Sequence, residues 1–153
     1  MWKKLELKHY ERQLALIGRR GQSRLKRSSV FIAGAGGLGT AAASYLAAAG
    51  LGRILIVDRD PVQVGNLNRQ VMYAEKDAGE PKAAVLADRL SRLNPHVELR
   101  GEQANIGAAD VLGRVSTCDV IVDALDNFPS RYALNSAALA QGIPLVHGSI
   151  RGF

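Results

Sequence analysis

The sequence predicts an α/β protein of the Rossmann-like, doubly wound kind, with a mainly parallel sheet and helices on both faces. Three observations predict it. Apolar runs of strand length alternate with segments of helical character from residue 29 onward. The runs are continuously apolar, as strands covered on both faces require. The first of them leads straight into "GAGGLG" (Gly34 to Gly39) and then a helix.

The elements follow in order. In "KHYERQLALIGR", Tyr10, Leu14 and Ile17 have helical spacing, and Gly18 and Gly21 bound a short helix. "GQSRLKRS" reads as a second short turn. "SVFIAGA" is the first strand. A helix then runs from about Gly37 to Ala49, stopped by Gly50. "GRILIVD" is the second strand, ending at Asp58, and a polar loop follows. Pro81 opens the next helix at its first turn. "HVELRGEQ" is a third strand and "GAADVLGRVS" a short helix. "CDVIVDALD" is a buried fourth strand. "PSRYALNSAALAQG" is a helix closed by Gly142, and "IPLVHGSI" is a fifth strand. This divides the chain into an N-terminal helical segment, 1–28, and a Rossmann-like domain, 29–153.

Composition narrows the class. The chain has 153 residues, 47% hydrophobic and 22% charged, which suits one globular domain. No apolar run is long enough to span a bilayer, and the first residues lack the apolar segment of a secretory signal. A single cysteine, Cys118, excludes an intramolecular disulfide framework and a cysteine-rich zinc site; it reads as a small buried residue. A cytoplasmic location without membrane attachment is the expectation. Residues 1–29 hold nine Lys/Arg and two Glu, which is +7 of the formal net charge of +6; the remainder, eleven basic and twelve acidic, is −1. That basic segment could meet nucleic acid, a membrane surface or an acidic protein, or form a solvated helical face. It contains no recognisable nucleic-acid motif, so no nucleic-acid partner is expected.

The glycine turn carries the first chemical signal. Gly34, Gly36 and Gly39 match G-x-G-x-x-G, with Gly37 in addition. In that pattern the glycines give a tight exit from the strand, a close approach of backbone to phosphate, and close helix–strand packing. The helix N-terminus presents free N–H groups to an anion. Asp58, 19 residues after Gly39 (58 − 39), ends the second strand, where a carboxylate can accept ribose hydroxyls or simply cap the loop. An adenine nucleotide follows from this context, but the choice between NAD and ATP does not.

Charges further along bear on that choice, because breaking a triphosphate needs several cations and a metal. "GNLNRQ" lies just past the second strand, "GEPK" opens a helix, and "DALDNFPSR" spans the end of the fourth strand. All fall at the carboxyl side of the sheet. Together with "YERQ", "GAGGLG" and "VDRD", in this order, they resemble the successive motifs of the ThiF/MoeB/HesA family. These are adenylating enzymes that activate ubiquitin and ubiquitin-like sulfur carriers. The resemblance covers about Tyr10 to Phe153.

The resemblance implies roles, residue by residue. Gly34, Gly36, Gly37 and Gly39 cradle phosphate, and Asp58 holds the ribose. Asn66 and Arg69 contact phosphates, with Gln70 supporting their loop. Lys82 neutralises the polyphosphate. Asp126 binds Mg²⁺ beside Asn127, although "DN" could also be only a turn capping the next helix. Arg12 acts as an arginine finger in the partner subunit of a homodimer. The implied substrate besides ATP is the C-terminal glycine carboxylate of a ubiquitin-like sulfur-carrier protein ending in Gly-Gly, activated as acyl-adenylate with release of pyrophosphate. No zinc is expected. Arg131 faces the phosphates or pairs with a neighbour. Asp123 faces a polar edge of its strand. His147 reads as a core or site-rim residue, and His9 and His96 as surface residues. The family pattern continues past the fifth strand, whereas this sequence stops at "SIRGF". The expectation is therefore a fragment, a truncated product or the nucleotide half of a split enzyme. The alternatives are an NAD-binding oxidoreductase and a non-catalytic nucleotide-binding scaffold.

Overall fold

Five strands form one all-parallel sheet in the computed structural model, which describes residues 4–150 (4 and 108–110 in backbone only). They are β1 (Ser29–Ala33), β2 (Arg53–Asp58), β3 (Glu98–Gln103), β4 (Val120–Asp123) and β5 (Leu145–His147). Their order across the sheet is β3-β2-β1-β4-β5. The helices are α1 (Lys4–His9), α2 (Glu11–Arg27), α3 (Gly37–Ala48), α4 (Lys82–Leu93), α5 (Ala108–Val115) and α6 (Phe128–Gln141). The sheet grows from β1 outward to β2 and β3. It then restarts on the other side of β1 with β4 and β5. That reversal opens a crevice between the carboxyl ends of β1 and β4, where ligands of doubly wound folds bind. Residues 1–3 and the closing "RGF" (151–153) of the sequence reading lie outside the described residues.

The two-residue period of the central strand builds both layers of core. Val30 and Ile32 of β1 point to one face with Ile54 and Ile56 of β2, and there meet Ala43 and Ala47 of α3 and Leu86 and Leu90 of α4. Phe31 and Ala33 point to the other, with Val57 and Ile121, against Val111 and Val115 of α5 and Leu134 and Ala137 of α6. Every residue of β1 is buried, which is why its sequence shows no polar alternation. Cys118 belongs to the second layer, and burial pushes its thiol above the usual range. It is a packing residue, as expected.

The N-terminal reading needs correction. "GQSRLKR" is not a turn; α2 continues through it to Arg27. Only Gly18 departs from helical geometry, with φ 64° and ψ 176°, a conformation that glycine reaches without steric cost. Tertiary bonds hold the segment past that break. Gln22 is fully buried and donates from Nε2 to the Ala49 carbonyl at 2.8 Å; Gln13 donates to the same oxygen at 2.7 Å. The helical stripe is also shorter than its spacing implies, since Ile17 is exposed and Tyr10 sits in the joint between α1 and α2. The basic residues Arg12, Arg19, Arg20, Arg24 and Arg27 form an exposed face. No helix among the described residues is long and apolar enough to cross a membrane.

Tyr10 is locked to the far end of α4. Asn94, with no exposed surface, donates from Nδ2 to the Tyr10 hydroxyl at 2.8 Å and to the Ala47 carbonyl at 2.7 Å. Asn94→Ala removes the hydrogen bond to Tyr10 and one of two donors to the Ala47 carbonyl, which keeps the Gly50 N–H at 3.1 Å. The expected cost is about 1–2 kcal/mol of unfolding free energy, read by urea denaturation. A loss below about 0.5 kcal/mol would mean that other donors replace the amide.

Candidate nucleotide-binding site

An open cleft of about 1270 Å³ lies over the carboxyl ends of β2, β1, β4 and β5. Its floor is the glycine turn. The chain leaves β1 through Gly34, whose φ is 96°. A Cβ on Gly34 would stand 2.8 Å from the Ala124 carbonyl oxygen, and one on Gly39 would overlap the Gly34 carbonyl oxygen itself. Turn, helix start and the end of β4 therefore meet backbone to backbone. Gly36 precedes the helix without any side-chain cap, so the first N–H groups of α3 are left for an anion. At Gly37 there is room: a Cβ there would find the Arg69 carbonyl oxygen no closer than 3.7 Å.

Asp58, at the end of β2, does what the loop-capping alternative foresaw and also lines the cleft. Its Oδ2 accepts the Ala35 N–H at 2.6 Å and its Oδ1 accepts the Asp60 N–H at 2.7 Å. Each oxygen retains a lone pair for a further donor such as a ribose hydroxyl.

The cations enter from two segments. Lys82 opens α4 and is 5% exposed. Its Nζ donates to Asn66 Oδ1 at 3.3 Å and lies 3.9 Å from Asp60 Oδ2. Its carbonyl is 3.4 Å from the Tyr73 hydroxyl, which donates to the Ala35 carbonyl of the glycine turn at 2.7 Å. Burial pushes the Tyr73 phenol far above its usual range, so it stays a donor and ties the start of α4 to the turn. Arg69 is exposed on the cleft wall and donates from Nη1 to Asn68 Oδ1 at 3.1 Å. Gln70 is 4% exposed, and its Oε1 is the one buried side-chain polar atom without a partner among the described residues. Its amide nitrogen is 3.5 Å from Asn66 Oδ1, which fits a loop-supporting role.

The opposite wall comes from the β4–α6 turn. Asp126 is exposed, lines the cleft and has no hydrogen-bond or ion-pair partner among the described residues. The adjacent Asn127, not Asp126, caps α6, accepting the Ser130 N–H on Oδ1 at 3.0 Å. The cap thus consumes the oxygen of Asn127 and not the carboxylate of Asp126. Arg131 donates from Nε to the Leu125 carbonyl at 2.9 Å and lies under the Phe128 ring at 6.0 Å, so its first duty is to a neighbour. Asp123 is 3% exposed and meets His147, at the rim of the cleft. His9 is exposed and His96 half-buried. Arg12 is exposed on α2 and is not among the residues lining this cleft. Asp60, Tyr73 and the Asp123–His147 pairing are the parts that spacing missed. Asp60 had a signal in its place within "VDRD"; Tyr73 bonds to a residue 38 positions away and had none.

A glycine turn, an uncapped helix N-terminus and an acid at the end of the second strand, all at the switch point of a parallel sheet, define a nucleotide-binding α/β domain. The chain belongs to the ThiF family, whose model matches residues 10–153. It is 48% identical over 154 aligned residues to the sulfur carrier protein adenylyltransferase of Thermus thermophilus, covering 99% of this chain and 57% of that protein. It is 40% identical to the sulfur carrier protein ThiS adenylyltransferase of Escherichia coli, covering 94% of this chain and 58% of that protein. Among solved structures it resembles the E. coli tRNA N6-threonylcarbamoyladenosine dehydratase TcdA in complex with ATP, with a TM-score of 0.91 at 27% identity over 96% of this chain and 61% of that one. The chain thus spans little more than half the length of these relatives.

Proposed function

We propose that this chain is the nucleotide half of an ATP-dependent adenylyltransferase that activates the C-terminal glycine carboxylate of a ubiquitin-like sulfur-carrier protein ending in Gly-Gly. The observation that carries the reading is a buried lysine, Lys82, and a carboxylate without a partner among the described residues, Asp126, on facing walls of a cleft floored by a glycine turn. A dinucleotide redox site has no need of that pair. The similarity to the Thermus and E. coli adenylyltransferases supports the same reaction class.

In this reading Asp58 holds the ribose. The turn at Gly34, Gly36, Gly37 and Gly39 with the N-terminus of α3 receives phosphate. Asn66 and Arg69 contact the phosphates, and the amide nitrogen of Asn127 remains free to join them. Lys82 offsets the charge that grows on the leaving pyrophosphate. The carrier carboxylate attacks the α-phosphorus, the bond to the bridging oxygen breaks, and acyl-adenylate and pyrophosphate result. No base is needed, because the attacking carboxylate is already ionised at neutral pH. The protein's task is placement and neutralisation.

Mg²⁺ fits the donor set. No group of three metal-ligating side chains exists among the described residues, and one free carboxylate plus phosphate oxygens is a usual Mg²⁺ environment. Asp126 would hold the ion, which when bound offsets phosphate charge. Arg12, on the exposed face of α2, would reach the partner's site in a cytoplasmic homodimer. Fingers of this kind are worth about 10³–10⁵ in rate in phosphoryl-transfer enzymes. Residues 29–153 then constitute the ATP-binding domain and residues 1–28 the helical segment that carries the finger.

Calorimetry with Mg·ATP and with NAD tests the reading. Saturable binding of Mg·ATP, weakened in Asp126→Asn, is expected. NAD binding without ATP binding would replace it with the oxidoreductase alternative.

A further inference from the structure

One carboxylate–histidine pair, with Asp123 buried and His147 half-exposed, is unused by the reaction just described. Asp123 and His147 are the last residues of β4 and β5 and stand opposite each other in the parallel register. Asp123 Oδ1 accepts the Leu125 N–H at 3.0 Å, and its Oδ2 lies 2.7 Å from His147 Nδ1 and 3.9 Å from Arg131 Nε. A carboxylate can only accept, so Nδ1 carries the proton. The imidazole is held by its inner nitrogen while half its side chain, 49%, is exposed at the cleft. Nε2 has no partner among the described residues.

The position says what Nε2 would meet. Asp58, the glycine turn and Lys82 occupy the half of the cleft over β2 and β1. A nucleotide with its ribose at Asp58 and its phosphates at the turn leaves the half over β4 and β5 for the other reactant. That half holds His147, Phe128 and Ile150, with Asp126 between the two regions. In an adenylylation the other reactant is a carboxylate, and among the described residues this half offers one side-chain cation already engaged (Arg131 on the Leu125 carbonyl) and one uncommitted ring nitrogen.

We propose that His147 is a substrate-binding residue for the terminal carboxylate of the second substrate, with Asp123 as its positioning residue. As imidazolium the ring donates from both nitrogens, Nδ1 to Asp123 and Nε2 to the incoming carboxylate. Phe128 and Ile150 flank the tail that bears it. This assignment rests on the adenylylation reading and deepens it, since it names the group that receives the acyl end.

Two isosteres separate this role from a structural one. Gln at 147 places an amide nitrogen near the position of Nε2, whereas Asn places one near Nδ1 and so keeps a donor for Asp123. The probe is a synthetic peptide ending in Gly-Gly with a free carboxylate, compared with its C-terminal amide, titrated with the protein holding a non-hydrolysable Mg·ATP analogue. The His147 ring resonances are expected to move with the acid and not with the amide. Affinity for the acid is expected to fall about 10–100-fold in His147→Asn and by less than about threefold in His147→Gln, with analogue affinity unchanged in both. Rescue by Asn but not Gln, an equal response to acid and amide, no saturable response to the acid, or a full shift on adding the analogue alone would each overturn the assignment. Binding of the analogue is read separately by calorimetry. If it fails, the adenylylation reading falls; if it holds while the carboxylate-dependent shift is missing, only the role of His147 falls.

Discussion

Lys82→Met is expected to give a folded protein whose affinity for Mg·ATP is lower by about 10–100-fold, the worth of a charge-assisted contact. The two halves of that outcome have different causes. Lys82 is 5% exposed, and its partners are one amide oxygen at 3.3 Å and a carboxylate 3.9 Å away that is itself half-exposed. Keeping a charge in such a place costs stability, and an apolar chain of similar length relieves that cost. Thermal unfolding should therefore occur at the wild-type temperature or slightly above it, while nucleotide calorimetry registers the loss. A variant that unfolds early would make Lys82 a structural cation. One that binds Mg·ATP within about threefold of wild type would remove it from the phosphate site.

The second large effect is expected at the floor of the cleft. Gly39→Val should lower unfolding free energy by about 3 kcal/mol, the upper range for overpacking, and abolish nucleotide binding. The reason is contact rather than backbone strain: the new Cβ would fall on the Gly34 carbonyl oxygen, in a stretch already closed by Ala124. Gly37→Ala, two residues earlier, makes the contrast. Its nearest neighbour would be 3.7 Å away, so stability should stay within about 0.5 kcal/mol. Weaker Mg·ATP binding in that stable variant would mark the space over Gly37 as phosphate space. If both variants proved equally stable, the backbone packing described for Gly39 would be wrong.

What could be read from the sequence follows from how local each feature is. β1 and β2 are legible because both faces of the sheet are covered, so "VFIA" and "ILIV" are apolar without interruption. The glycine turn was legible because strand, turn and helix are contiguous. α2 was not, because Gly18 and Gly21 read as breaks, while Gln22 is held by a carbonyl 27 residues away. β5 shrank from an expected eight residues to three: it is the sheet edge, and only Leu145 to His147 pair with β4. Within the site, residues carried by a contiguous motif were found individually, but their pairings were not. Asn66 with Lys82 and Asp123 with His147 join segments 16 and 24 positions apart. Spacing along the chain carries no record of such meetings. Asn127 is an instructive mixed case, since the sequence offered both a ligand and a cap, and its oxygen serves as the cap.

The joint at Tyr10 has a mechanical consequence for Arg12. Two residues before it, Tyr10 is held by Asn94; one residue after it, Gln13 is held by the Ala49 carbonyl. The exposed guanidinium thus stands on a footing fixed on both sides. In the proposed finger role, reaching a partner subunit would immobilise one side chain, at most about 2 kcal/mol, and not a loose tail at about 1–2 kcal/mol for each backbone residue. In that proposed role the far end of α4 would be a foundation for a contact made on another molecule, so damage at Asn94 would be felt there as well as in the stability of its own chain.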